Sequence, residues 1–124
     1  MIVGVGLDVC DISRMEKLVR DGRFLARFFS EAEQEYIRGK GKAAAASMAG
    51  LFAAKEAFTK ALGVGISADI RGISVMHDAY GAPYYALHGE YADLAEDKRI
   101  DSFFLSITHD AGVAAAVCVA ERNG

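Results

Sequence analysis

The chain has 124 residues, about half of them apolar and a quarter charged, and a net charge of −3. That balance predicts one soluble globular domain over 1–124 and offers no surplus of lysine and arginine for generic nucleic-acid binding. No apolar run approaches the roughly 20 residues that span a bilayer, so no membrane association is expected.

In chain order, Met1-Ile2-Val3-Gly4-Val5-Gly6-Leu7-Asp8 lacks the basic region and cleavage site of a signal peptide and reads as a first strand. Val3, Val5, Leu7 and Val9 share one face of that strand, and Ile2, Gly4, Gly6 and Asp8 the other. Glycines on the Asp8 face leave room for a ligand or for a second backbone. Residues 13–28 are predicted helical, with Ser13 as N-cap and a break at Asp21-Gly22. Ser30 and Glu33 form a capping-box pattern opening a short helix to about Gly39. After the basic connection Gly39-Lys40-Gly41-Lys42 comes the longest helix, Ala43 to Leu62, closed by Gly63. Gly72–His77 and Tyr84–Leu87 form a hairpin around Tyr80-Gly81-Ala82-Pro83, and Glu90–Lys98 is a short helix. Ser102–Thr108 and Gly112–Ala120 are two strands joined by a loop around His109-Asp110-Ala111. The pattern is α+β, a mostly antiparallel sheet packed on a long helix.

The residues that could carry chemistry fall into four groups. On the long helix, Met48, Leu51, Phe52, Lys55, Phe58 and Leu62 form a core-facing stripe, from which Lys55 is expected to snorkel. Glu56 and Lys60, four apart at the edge of the stripe, make either a surface ion pair or one wall of a cleft. Asp8 is either a turn or cap residue or, with Glu56, one of two carboxylates for Mg²⁺, which takes oxygen ligands together with water and substrate phosphates. His109 is either a buried hydrogen-bonded histidine or a phosphate contact or proton relay, while His77 and His88 read as surface or structural. Arg14, Lys17, Arg20, Arg23 and Arg27 against Glu16 and Asp21 give a local charge of +3, either a solvated face or a dock for an acidic partner. Phe24, Phe28 and Phe29 beside them supply apolar anchors or core. Cys10 and Cys118 show no CxxC or Cys/His ligand spacing and read as small hydrophobes in a cytoplasmic protein.

Taken together these residues resemble the holo-[acyl-carrier-protein] synthase family of 4′-phosphopantetheinyl transferases. Val5-Gly6-Leu7-Asp8-Val9-Cys10-Asp11-Ile12-Ser13-Arg14 is similar to the family opening G-[IL]-D-x-x-x-x-x-R. Phe52-Ala53-Ala54-Lys55-Glu56-Ala57-Phe58-Thr59-Lys60-Ala61-Leu62-Gly63 matches F-x-x-K-E-A-x-x-K-A-x-G at every fixed position, and Ser106-Ile107-Thr108-His109-Asp110 resembles S-I-[ST]-H-[DS]. The resemblance implies the 4′-phosphopantetheinyl transferase fold and transfer of the phosphopantetheine arm of coenzyme A to a serine of acyl carrier protein, for fatty acid synthesis. It implies Asp8 and Glu56 as Mg²⁺ ligands and Lys60 on the coenzyme A phosphates. Glu56 is expected to take the serine proton, directly or through a water, with His109 the second choice. Thr108 and His109 would lie near the nucleotide, Gly81-Ala82-Pro83 beside the adenine, and Gly63 and Gly65 would shape the pocket. Arg14, Lys17, Arg20 and Arg23 would dock the carrier, and the assembly would be a homotrimer with shared active sites. Leu51 departs from the family, standing where many relatives carry an arginine; if that arginine touches a phosphate, another cation, such as Lys42, would serve in its place or coenzyme A would bind less tightly. Two rivals are a non-catalytic coenzyme A-binding subunit and a Mg²⁺-dependent hydrolase of pyrophosphate bonds.

Overall fold

The computed structural model describes residues 1–66 and 69–124. Its elements are β1 (Ile2–Asp11), α1 (Ile12–Leu18), α2 (Gly22–Phe28), α3 (Glu31–Arg38), α4 (Ala44–Leu62), β2 (Ile73–His77), β3 (Pro83–Leu87), α5 (Glu90–Asp97), β4 (Ser102–Asp110) and β5 (Val113–Glu121). β1, β5 and β4 form an antiparallel sheet in that order, and β2 and β3 form a separate hairpin. The 19-residue α4 lies across the three-stranded sheet and is buried on nearly every side. The α+β architecture read from the sequence is the one observed.

Local chemistry explains most boundaries. The capping box forms, with Ser30 Oγ accepting from the Glu33 amide and Glu33 accepting from the Ser30 amide. Gly63 adopts the left-handed conformation (φ 73°) that lets α4 stop after Leu62. Two expectations need correction. Asp11, not Ser13, caps α1, its carboxylate accepting from the Ser13 amide at 3.0 Å, because β1 runs straight into the helix. The β4–β5 connection is a two-residue turn at Ala111 and Gly112 (φ 51° and 80°), so His109 and Asp110 belong to the strand rather than to a loop.

The glycine face of β1 turns inward. A Cβ at Gly6 would lie 1.8 Å from the Ala57 carbonyl oxygen, and one at Gly4 1.9 Å from that of Ala61. Of the two occupants allowed for that face, the second backbone is the one present. Ala57 and Ala61 of α4 and Ala114, Ala116, Cys118 and Ala120 of β5 complete a helix–sheet contact built from small side chains. Gly6→Ala is expected to cost about 1–3 kcal/mol, since the obstacle is helix backbone and cannot rotate away. A urea melt checks this, and an unchanged midpoint would contradict it.

The opposite face of the sheet is apolar and open. Val5, Leu7, Val9 and Phe104 are 59, 60, 59 and 55% exposed.

The other side of α4 packs Met48, Leu51, Phe58 and Leu62 against Phe29, Ile37, Ile73, Val75 and Tyr91. Lys55 belongs to this buried face, which corrects the expectation that it snorkels. Its ammonium has no solvent exposure, pairs with Glu33 at 2.6 Å, and donates to the carbonyls of Ile73 (2.5 Å) and Ile70 (3.3 Å). Glu33 accepts in turn from the Val75 amide. The pair thus ties α3, α4 and the start of β2 together. Among the described residues no helix is long and apolar enough to cross a membrane.

Candidate active site

Where α4 meets β1 and α1, four charged side chains converge. Asp8 faces the helix from β1, on the same side as Gly4 and Gly6. Lys60 donates to Asp8 Oδ1 at 3.0 Å and to the Leu7 carbonyl at 3.1 Å. Glu56 lies one turn earlier on α4. Its carboxyl is pushed above the usual carboxylate range by burial and then by the negative charge of Asp8, while Lys60 and Arg14 pull it back. Arg14 sits over the Phe52 ring, 5.5 Å from its centroid. The structure therefore brings Asp8, Glu56, Lys60 and Arg14 into one electrostatic unit, and the helix period with the β1 pleat accounts for it. Two carboxylates that repel one another, one of them already holding an ammonium, make a site suited to a cation. The donors are oxygens. No cluster of three His, Cys, Asp or Glu side chains forms a protein cage among the described residues. That set fits a hard cation sharing its shell with water and substrate phosphates, as Mg²⁺ does.

A second group lies where α4 meets β4. His109 Nε2 donates to the Ala46 carbonyl at 2.9 Å, and its ring rests on Gly50, where a Cβ would be 3.0 Å away. With Pro83, Gly81, Leu51 and His77 it lines a cavity of about 170 Å³. His109 is thus hydrogen-bonded, as one reading allowed, yet exposed at a cavity wall. Ala46 and Glu56 are ten residues apart, about 15 Å along a helix, so one chain does not bring His109 to the carboxylates.

Thr108 points to the open face of the sheet, opposite its strand neighbour, so one chain does not give Thr108 and His109 a common pocket. Gly63 and Gly65 follow the end of α4 and do not line the His109 cavity. Lys17 and Arg23 are exposed, but the chain breaks between α1 and α2 at Val19–Asp21. The basic residues are therefore split at the break expected near Asp21-Gly22: Arg20 lines a groove with Arg38 and Lys42, whereas Arg23 and Arg27 flank another with Arg71. Asp21 causes the break by capping α2 through the Arg23 and Phe24 amides. Phe24, Phe28 and Phe52 form a half-buried aromatic cluster beside Arg14, with ring centroids 4.7 to 6.4 Å apart. Phe29 is core.

Sequence reasoning passed over Tyr36 and read His77 only as surface or structural. Their rings stack at 4.1 Å and 8°, on the wall of the His109 cavity. Only the position of His77 at the strand end before the Gly81-Ala82-Pro83 turn hinted at this. Burial, then the charge of Lys40, lowers the His77 pKa from 6.5, with Asp78 opposing. In the unfolded chain His77 gains its proton near 6.5 and in the folded chain only at lower pH. Its contribution to stability is therefore complete above that value and declines as pH falls through the window beneath it. Melting temperatures followed downward from neutral pH should show this slope reduced in His77→Asn; an equal slope would contradict it.

Comparison with known proteins identifies the family. The model of the 4′-phosphopantetheinyl transferase superfamily matches residues 4–118. The chain belongs to this superfamily. It is 43% identical over 122 residues to a holo-[acyl-carrier-protein] synthase of Treponema denticola, covering 98% of this chain and 99% of the relative. A synthase of the same name from Geobacter sulfurreducens is 40% identical over 126 residues, again covering 98% and 99%. Among solved structures, the Neisseria meningitidis holo-[acyl-carrier-protein] synthase superposes with a TM-score of 0.89 at 32% identity, covering 98% of this chain and all of that one. The Helicobacter pylori synthase in complex with coenzyme A gives 0.82 at 36% identity, covering 94% and 99%. Transferases of this superfamily thus share the strand–helix frame that carries Asp8, Glu56 and Lys60 here.

Proposed function

We propose that this chain transfers the 4′-phosphopantetheine group from coenzyme A to a serine of apo acyl carrier protein, in support of fatty acid synthesis. The Asp8–Glu56–Lys60 constellation carries the reading, and relatives named for this activity, one of them bound to coenzyme A, support it. The serine oxygen attacks the phosphorus nearer pantetheine. The bond to the adenosine 5′-phosphate breaks, the serine proton leaves, and adenosine 3′,5′-bisphosphate is released.

Asp8 and Glu56 would hold Mg²⁺, which when bound neutralises and orients the diphosphate. Glu56, whose carboxyl binds protons more tightly than an exposed one, accepts the serine proton. Lys60 exchanges its bond to Asp8 for the phosphate oxygens on which charge develops. Phosphoryl transfer asks for little more than such positioning and charge.

Arg14, Lys17, Arg20 and Arg23, which flank the Asp21 break on both sides, and the Phe24–Phe28–Phe52 cluster beside Arg14 would together dock the acidic carrier. The chain acts as one domain over 1–124 and assembles as a homotrimer. The open face with Val5, Leu7, Val9 and Phe104 supports association, because an apolar patch of this kind is seldom left in water. A neighbour would also bring His109 and Pro83, which share a cavity, to the carboxylates of the next subunit. Two free, buried cysteines accord with a cytoplasmic setting.

The test is incubation with coenzyme A, Mg²⁺ and an apo carrier protein, followed by mass spectrometry of the carrier. The expected result is a phosphopantetheine adduct on serine. Binding without transfer would favour a non-catalytic subunit, and cleavage of coenzyme A without an acceptor would favour a hydrolase.

A further inference from the structure

Lys60 is the cation that stands among the carboxylates. Its ammonium donates to Asp8 Oδ1 at 3.0 Å and to the Leu7 carbonyl at 3.1 Å. Arg14, the other cation close by, lies against the Phe52 ring and makes no ion pair with either carboxylate among the described residues. An oxygen suited to a divalent cation is therefore already engaged, and by a positive charge.

An ammonium and a divalent cation on one carboxylate oppose each other twice, by sharing its lone pairs and by direct repulsion. Which of them prevails depends on what else the ammonium can bind. The Lys60 side chain is 54% exposed, and its flexible stem lets the head swing, whereas Asp8 is 18% exposed and fixed on β1. In the free chain the ammonium has one carboxylate and one carbonyl as partners. A diphosphate offers it several charged oxygens, and charge-assisted bonds are stronger than a bond to a neutral carbonyl. The same diphosphate supplies a divalent cation with further oxygen ligands. One ligand thus removes the competitor and completes the shell, which couples the two binding events.

We infer that Lys60 is a built-in counter-ion that keeps a divalent cation off Asp8 until a diphosphate draws the ammonium away, so that metal loading waits for coenzyme A. The inference rests on the transferase reading above and assigns the regulation of its metal site.

Titration with Mn²⁺, a paramagnetic substitute for Mg²⁺, tests it, with the free ion followed by electron paramagnetic resonance. Without coenzyme A, Lys60→Met and Lys60→Gln should each bind Mn²⁺ about tenfold more tightly than wild type. Either neutral variant suffices, should the other fail to fold. Lys60→Arg keeps a cation within reach of Asp8 and should bind as wild type does. Arg14→Gln removes an equal charge that holds no carboxylate, and it too should stay close to wild type. Adding coenzyme A should tighten Mn²⁺ binding more in wild type than in Lys60→Met. The assignment is overturned if Arg14→Gln tightens Mn²⁺ binding as much as Lys60→Met, which would reduce the effect to net charge, or if Lys60→Arg tightens it as well. Wild type that takes up Mn²⁺ with coenzyme A, beside neutral variants that alone bind no tighter than wild type, would strike the assignment of Lys60 and leave the transferase reading standing. No uptake by any form, with or without coenzyme A, would strike both.

Discussion

Glu56→Gln is expected to abolish transfer and leave the fold intact. The substitution keeps shape and hydrogen-bonding reach but removes both the negative charge and the capacity to take a proton. Loss of a positioned base alone costs about 10²–10⁴ in rate, and a lost cation ligand adds to it. Stability should not suffer. Burial and Asp8 raise the Glu56 pKa, so the folded chain holds this proton more tightly than the unfolded one. As pH rises from the unfolded to the folded pKa, ionisation therefore works against folding. Glutamine is neutral throughout, so at neutral pH the variant should melt no lower than wild type. Single-turnover carrier labelling and a thermal melt on one sample check both halves. Labelling at the wild-type rate would remove Glu56 from the mechanism, and an early melt would mean that its charge is structural.

The residue before it gives the largest expected effect on stability. Lys55→Met should cost about 3–5 kcal/mol, because it leaves the Glu33 carboxylate buried without its counter-charge. The carbonyls of Ile70 and Ile73 also lose the ammonium that now binds them. Glu33 would keep its bonds from the Ser30 and Val75 amides, so replacing it as well, in Glu33→Gln with Lys55→Met, should recover part of the loss. Burial already lowers the Lys55 pKa, and the ion pair opposes that cost. Urea melts of the two variants decide it. If Lys55→Met melts with wild type, the buried pair does not hold α3, α4 and β2 together.

How much of this was legible beforehand depended on whether the determining contact was local. The Ser30–Glu33 capping box, the stop at Gly63 and the placing of Glu56 and Lys60 on one edge of α4 are set within one or two turns of chain, and all were readable, although Lys60 pairs with Asp8 rather than with Glu56. So was the facing of Asp8 with Gly4 and Gly6, since strand alternation fixes which side chains share a face. Alternation does not say which face turns inward. The close approach of Ala57 and Ala61 decides that for β1, and it leaves valines and a leucine outside. Lys55 was misread because its partner lies 22 positions earlier, on another helix. The basic residues were read as one surface because the Asp21 cap, which splits them, also suits a merely kinked helix. Thr108 and His109 were grouped because the turn was placed one residue pair too early; with both in β4 they must diverge.

The central claim is that Asp8 and Glu56 together grip a divalent cation that holds the substrate diphosphate. Its most direct test is calorimetric titration of coenzyme A into the protein with Mg²⁺ and with chelator, repeated on Asp8→Asn. Binding that Mg²⁺ strengthens in wild type, and no longer strengthens once Asp8 is neutral, is the predicted result. Equal affinity in all conditions would contradict it.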